Sequence, residues 1–166
     1  MIITTKDNRK VELLKYSHEN SGKLLVYLRA LGQETRNRFG PHSFTKEGID
    51  EIFNGTHEVY GFIAIEPGSG EIVAYALIRP GILEADGIRY NGYGIQYSGS
   101  FACTYAPSVA DQWQSSGVGS RMFDYIHEET WYKLRRDRLM KGSGEEMYPY
   151  YVLEYTNWAT VFPVTR

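Results

Sequence analysis

The sequence predicts an α+β fold, a mainly antiparallel central sheet flanked by helices, in a single domain over residues 1–166. Three observations carry this expectation. Two stretches with apolar residues at helical spacing come early, three β-rich runs punctuated by glycine turns follow, and a longer helical stretch opens from a glycine-containing turn.

Val11 to Tyr16 is short and bounded by polar residues, as a first strand would be. Asn20 or Ser21 then caps a helix with Leu24, Leu28 and Leu31 on one face, and Gly32 is placed to end it. Thr45 caps a second helix, whose Ile49, Ile52 and Phe53 form an inward stripe before Gly55. Val59 to Glu66 and Glu71 to Arg79 read as antiparallel strands joined by the hairpin signal Pro67-Gly68-Ser69-Gly70.

A third run from about Tyr93 to Tyr105 follows the turn pairs Asp86-Gly87 and Asn91-Gly92, with Phe101, Cys103 and Tyr105 in alternation. After Gly117 a helix with Val118, Met122, Tyr125 and Ile126 on one face runs to the basic cluster near Arg138, where Gly142-Ser143-Gly144 breaks it. Tyr148 to Tyr155 reads as a last strand, with Pro149 near its start or at an edge. The predicted order is β, α, α, β, β, β, α, β, without internal repeats.

The composition excludes several function classes. With 18 basic against 20 acidic residues, no cationic field is available for a nucleic-acid backbone, so nucleic acid is not an expected partner. The run Lys133, Arg135, Arg136 and Arg138 suits a helix C-terminus, where cations complement the dipole. The lone Cys103 forbids an intramolecular disulfide, and four scattered histidines show no ligand spacing, so no metal is expected. Met1 to Lys6 lacks the apolar core of a signal peptide, and no stretch approaches 18 apolar residues, so the expectation is a cytoplasmic protein with no membrane partner.

The chemistry concentrates in Val109-Ala110-Asp111-Gln112-Trp113-Gln114-Ser115-Ser116-Gly117-Val118-Gly119-Ser120. A glycine-containing turn opening into a helix presents unpaired N–H groups at the positive end of the helix dipole, which suits a pyrophosphate. Ser115, Ser116, Gly117 and Gly119 are small enough for phosphate to approach the backbone. A dinucleotide fingerprint would need a third glycine where Met122 stands, and a nucleoside-triphosphate loop needs Gly-Lys-Ser/Thr where Gly119-Ser120-Arg121 stands.

What remains, Gln114-Ser115-Ser116-Gly117-Val118-Gly119, resembles the Gln/Arg-x-x-Gly-x-Gly/Ala fingerprint of the GCN5-related N-acetyltransferase (GNAT) family, between its fourth strand and third helix. The preceding Val109 to Gln114 is similar to a frequent variant of that motif, and the resemblance covers about residues 10 to 130. It implies acetyl-CoA as cosubstrate and acetyl transfer to a primary amine of a small molecule or peptide by direct attack on the thioester. It also implies that amides of Gln114, Ser115, Ser116, Gly117, Val118, Gly119 and Ser120 hold the pyrophosphate and that Val109 pairs with pantetheine through its main chain. In the family, pantetheine enters where the fourth and fifth strands splay, and a main-chain N–H polarises the carbonyl. That donor would lie near Val109 or Ala110.

Thioester aminolysis needs a neutral amine, a donor for the oxyanion and a proton for the leaving thiolate. Glu66 at a strand end, and Glu34 and His42 between the first two helices, are candidate proton acceptors, each equally readable as a solvated surface group. Arg36 and Arg38 are surface charges or anchors for a substrate anion. Cys103 alternates with aromatic residues and reads as a packed core thiol. The family pattern calls for a helix tyrosine after the fifth strand. Asn157 and Ala159 weakly echo its Asn-x-x-Ala, but Val164 stands at the tyrosine position, leaving Tyr155 as a poor substitute. An atypical, shortened C-terminal part is therefore expected, with a homodimer that completes the sheet. The competing function is a catalytically impaired coenzyme A-binding module, or one whose aromatic segment from Tyr148 to Phe162 serves self-association.

Overall fold

Every strand of the sheet pairs with its neighbour in the chain. The computed structural model describes residues 1–39, 41–55, 58–80, 87–88, 91–94, 103–140, 151–155 and 158–162. The strands are β1 (Ile2–Thr4), β2 (Lys10–Lys15), β3 (Tyr60–Ile65), β4 (Ile72–Pro80), β5 (Cys103–Val109), β6 (Tyr151–Tyr155) and β7 (Trp158–Phe162). The main helices are α1 (Ser21–Ala30), α2 (Gln33–Arg38), α3 (Lys46–Asn54) and α4 (Val118–Met140). β1 to β5 run antiparallel, β6 joins β5 in parallel, and β7 returns antiparallel to β6. The predicted α+β class, an antiparallel sheet with flanking helices, is the observed one.

Alternation along the strands divides the core into two layers. Leu24, Tyr27 and Leu28 of α1 and Ile49 of α3 are buried, as are Ile63 and Tyr75 on the sheet. On the other face α4 buries Val118, Met122 and Ile126, and Tyr125 meets the Phe62 ring edge-on at 6.1 Å. The leucine stripe of α1 and the α3 stripe thus mark the faces they bury. Thr45 caps α3 as its residue type predicts, its Oγ1 accepting from the Gly48 N–H at 3.1 Å. At the β3–β4 hairpin, Gly70 takes φ +69, the left-handed conformation the turn needs.

Five expectations are corrected. The stretch read as the first strand, Val11 to Tyr16, is β2 (Lys10–Lys15), because Ile2–Thr4 pairs with it as an earlier strand too short to show a pattern. The stretch Gln33 to His42 is not all connection, because α2 occupies Gln33–Arg38. Gly32 does not end α1, which stops at Ala30. It precedes α2, and the space of its missing Cβ is filled by the Asp111 carboxylate, 2.1 Å from where that atom would sit. The third run of the meander is Cys103–Val109, not Tyr93 to Tyr105. Tyr93 lies in a turn, and Phe101 falls outside the described residues. Finally, the chain does not run out of strands after Tyr155: β7 pairs all along β6, from Tyr151 opposite Phe162 to Tyr155 opposite Trp158. The C-terminal edge of the sheet is therefore β7, whose apolar alternation is too short to separate from loop by pattern alone. The Gly142-Ser143-Gly144 break and Pro149 lie outside the described residues.

Candidate functional site

β5 and β6 form a short ladder, and β6 ends at Tyr155. Pairing is confined to Thr104 with Val152 and Tyr105 with Leu153. The reason is written in β5 itself. Ala110 N–H donates to Val73 O at 2.9 Å, so by alternation Ser108 and Ala106 also turn their amides to β4, while Val109, Pro107 and Tyr105 turn theirs to the β6 side. Pro107 has no N–H, and the ladder to β6 stops just before it. Continuing the register would bring Tyr155, the last residue of β6, level with Pro107. Of the two predicted oxyanion donors, Ala110 is thus engaged with β4, and the Val109 N–H faces the β6 side, beyond the end of that strand.

At the end of β5 the chain makes a 3-10 turn, Asp111–Trp113, then the predicted glycine loop, then α4. The loop bends through two left-handed residues, Ser115 at φ +61 and Gly117 at φ +86. For Gly117 the residue type fits this need, whereas Ser115 carries the strain of a side chain there. Gln114 N–H is taken by Asp111 O at 3.2 Å, Ser116 N–H by Trp113 O at 3.4 Å and Val118 N–H by Ser116 Oγ at 3.4 Å. Ser115, Gly117, Gly119 and Ser120 keep amides with no hydrogen bond to a described residue, and the first turn of α4 is where its dipole is positive. Gly119 lies close over β5: a Cβ there would stand 3.5 Å from Val109 Cγ2.

The Gln114 side chain ties this loop to α2. Its Nε2 donates to Thr35 Oγ1 at 3.1 Å and approaches Asp111 Oδ1 and Val109 O at 3.3 and 3.4 Å, and Thr35 donates to the same Asp111 oxygen at 3.1 Å. Asp111 and Thr35 were not legible as site residues, since their link spans 76 positions of sequence.

The four candidate proton-transfer residues separate clearly. Glu34 is exposed on α2. Glu66 belongs to the β3–β4 turn, where its carboxylate accepts from Ser69 Oγ at 2.8 Å. Tyr155 ends β6. His42 joins a partly buried polar cluster: its Nδ1 contacts Ser43 O at 2.8 Å and its Nε2 contacts Tyr75 Oη at 3.2 Å. A carbonyl can only accept, so Nδ1 carries the proton and Nε2 accepts from the Tyr75 hydroxyl. Tyr27 Oη donates to Ser108 Oγ at 3.1 Å, and Ser108 donates to Tyr75 O at 3.2 Å, which joins α1, β4 and β5. Burial pushes the Tyr27 and Tyr75 phenols well above their ordinary range.

Burial also lowers the His42 pKa, against the Ser43 hydrogen bond, which raises it. Above the ordinary value of 6.5 the ring is neutral in both folded and unfolded chains. As pH falls below that value the unfolded chain takes the proton first, so stability is lost toward acid. The loss between about pH 7.5 and 5.5, read from urea midpoints, is expected to shrink in His42→Gln. Equal losses in the two proteins would show that His42 is not protected from protonation.

No protein-family model matches the sequence, and no curated protein matches it. Among solved structures, the GNAT domain of S. lividans PAT is similar with a TM-score of 0.55 at 14% identity, over 77% of this chain and 69% of that one. This chain has the GNAT fold. A GNAT family acetyltransferase from Brucella melitensis in complex with acetyl-CoA is similar at TM-score 0.49 and 14% identity, over 86% of this chain and 74% of that one. An aminoglycoside acetyltransferase from an uncultured soil metagenomic sample, in complex with sisomicin, is similar at TM-score 0.48 and 17% identity, over 83% and 91%. Within the GNAT fold the end of β5 leads through the 3-10 turn and the glycine loop into α4. Among the described residues no group of three metal-ligating side chains is found, and no helix is long and apolar enough to cross a membrane.

Proposed function

We propose that the protein is an acetyl-CoA-dependent N-acetyltransferase that transfers an acetyl group to a primary amine of a small molecule or peptide by direct attack on the thioester. One observation carries the reading: in a GNAT-fold sheet, four amides in the loop and first turn of α4 have no hydrogen bond to a described residue, and they follow a strand whose ladder to β6 stops before Pro107. Ser115, Gly117, Gly119 and Ser120 are suited to hold the diphosphate of coenzyme A, whose thioester is the reactive group this substrate supplies. Val109 offers its C=O to the pantetheine amide and its N–H to the thioester oxygen as negative charge develops there.

His42 is the proton acceptor favoured among the three candidates, because it is neutral near pH 7 and stands on the Tyr75 hydroxyl, opposite Ser108 of β5. An incoming ammonium would compete with Tyr75 for the Nε2 lone pair. Tyr155, level with Pro107 by register, is the tyrosine the chain offers for protonating the thiolate.

Release of free coenzyme A from acetyl-CoA, followed across amino sugars, amino acids, polyamines and peptides, tests cosubstrate, reaction and acceptor together. Thiol release with one class and not the others is the expected result. A folded sample that binds no acetyl-CoA at millimolar concentration would overturn the reading. A second reading is favoured by the C-terminal strands: only residues 156 and 157 separate β6 from β7, too few for the tyrosine-bearing helix of the family. Binding of acetyl-CoA without thiol release from any amine would select that reading, a coenzyme A-binding module without turnover.

A further inference from the structure

The connection between β1 and β2, residues 5–9, is fastened to the loop before α4 at three points. Lys6 N–H donates to Ser116 O at 2.9 Å. The Arg9 guanidinium lies over the Trp113 ring, 3.5 Å from its centroid, and its Nη2 donates to Gln112 O at 3.2 Å. The Lys6 side chain lies along Gly117, with Cγ and Cε each 3.3 Å from where a Cβ would stand.

The connection is itself rigid. Thr5 Oγ1 accepts from Arg9 N–H at 3.0 Å, and Asn8 takes a left-handed φ of 70°. Asp7 is bound by Arg9 and then by Thr5, which holds its pKa down to about 2. That carboxylate is therefore committed to Arg9 and not to Lys6. Among the described residues the Lys6 ammonium has no ion pair or hydrogen bond, and one C–N bond of about 1.5 Å separates it from Cε. Its stem thus lies against Gly117, whose amide has no hydrogen bond to a described residue.

From this arrangement we infer that the β1–β2 turn is a clamp for the coenzyme diphosphate and that Lys6 is its cationic contact, an inference that rests on the coenzyme A reading above. The loop amides and the α4 dipole oppose a diphosphate carrying two negative charges with only about half an elementary charge. Lys6 supplies the remaining counter-charge, and its aliphatic stem, laid on Gly117, keeps the ammonium from sweeping away. Arg9 serves the clamp structurally, fixing the turn to Trp113.

Wild type, Lys6→Met and Lys6→Ala are titrated calorimetrically with acetyl-CoA and with dephospho-coenzyme A, which lacks the 3′-phosphate but keeps the diphosphate. Lys6→Met retains the apolar stem on Gly117, so its melting temperature without ligand is expected to equal that of wild type. Both variants are expected to bind both ligands about tenfold more weakly, as for loss of one hydrogen bond to a charged group. Wild-type affinity in Lys6→Met would overturn the assignment and leave the coenzyme A reading standing. A loss confined to acetyl-CoA would also overturn it, by moving Lys6 to the 3′-phosphate. Wild type that binds neither ligand would instead overturn the coenzyme A reading itself.

Discussion

Gly119→Asp is expected to abolish acetyl-CoA binding without weakening the fold. A Cβ at this position meets only Val109 Cγ2, at an ordinary 3.5 Å, so the backbone has no need to move. A carboxylate in the first turn of α4 is also favourable to the helix, by about 0.3–1 kcal/mol at an exposed site. The same charge would stand where the diphosphate belongs. Two like charges about 4 Å apart near a protein surface cost roughly 4 kcal/mol, or nearly three decades of affinity. Calorimetry should therefore record no acetyl-CoA binding from a protein whose melting temperature is unchanged or raised. Retention of wild-type affinity would remove the diphosphate from the start of α4.

The largest stability effect is expected from Gly61→Val. Local preference favours valine over glycine in a strand, so propensity predicts stabilisation. Packing predicts the opposite. A Cβ on Gly61 would stand 2.6 Å from Phe53 Cζ and 2.7 Å from Tyr16 Cβ, and these two rings stack with centroids 4.3 Å apart. The Phe53 ring tip could yield, but Tyr16 Cβ is one bond from the backbone and cannot. Overpacking of this kind costs about 1–3 kcal/mol and exceeds a propensity term of less than about 1 kcal/mol. A fall in melting temperature of roughly 3–10 °C is expected for a chain of this size. A rise would mean that the pair of rings is looser than it stands here.

Much of the architecture follows from local rules that a single sequence displays. Thr45 before a helical stripe, Pro67-Gly68-Ser69-Gly70 between β-rich runs, and Gly117 before Val118 each put the needed residue type where the backbone demands it. Other features depend on partners remote in the chain. Gly32 looks like a helix terminator until Asp111 is found in the space of its missing side chain. Lys6 and Arg9 look like ordinary surface charges until β1 and β2 bring them against Trp113 and Gly117. His42 was legible as a candidate base, but Tyr75, whose hydroxyl its Nε2 accepts from, read only as a strand residue. One signal within reach was Pro107, since a proline inside a strand removes the ladder hydrogen bond at its own position on one side of that strand.

Pro107 also decides what the β6 side of β5 can admit. A polypeptide strand sliding in would look for a donor and an acceptor at every second residue of β5, and at Pro107 it would find no donor. A pantetheine arm makes no such periodic demand; its widely spaced amides can use Val109 and pass over the proline. On the coenzyme A reading, the missing hydrogen thus works as a filter on chain chemistry: it stops the pairing with β6 after Tyr105 and leaves the Val109 N–H to a flexible thioester arm.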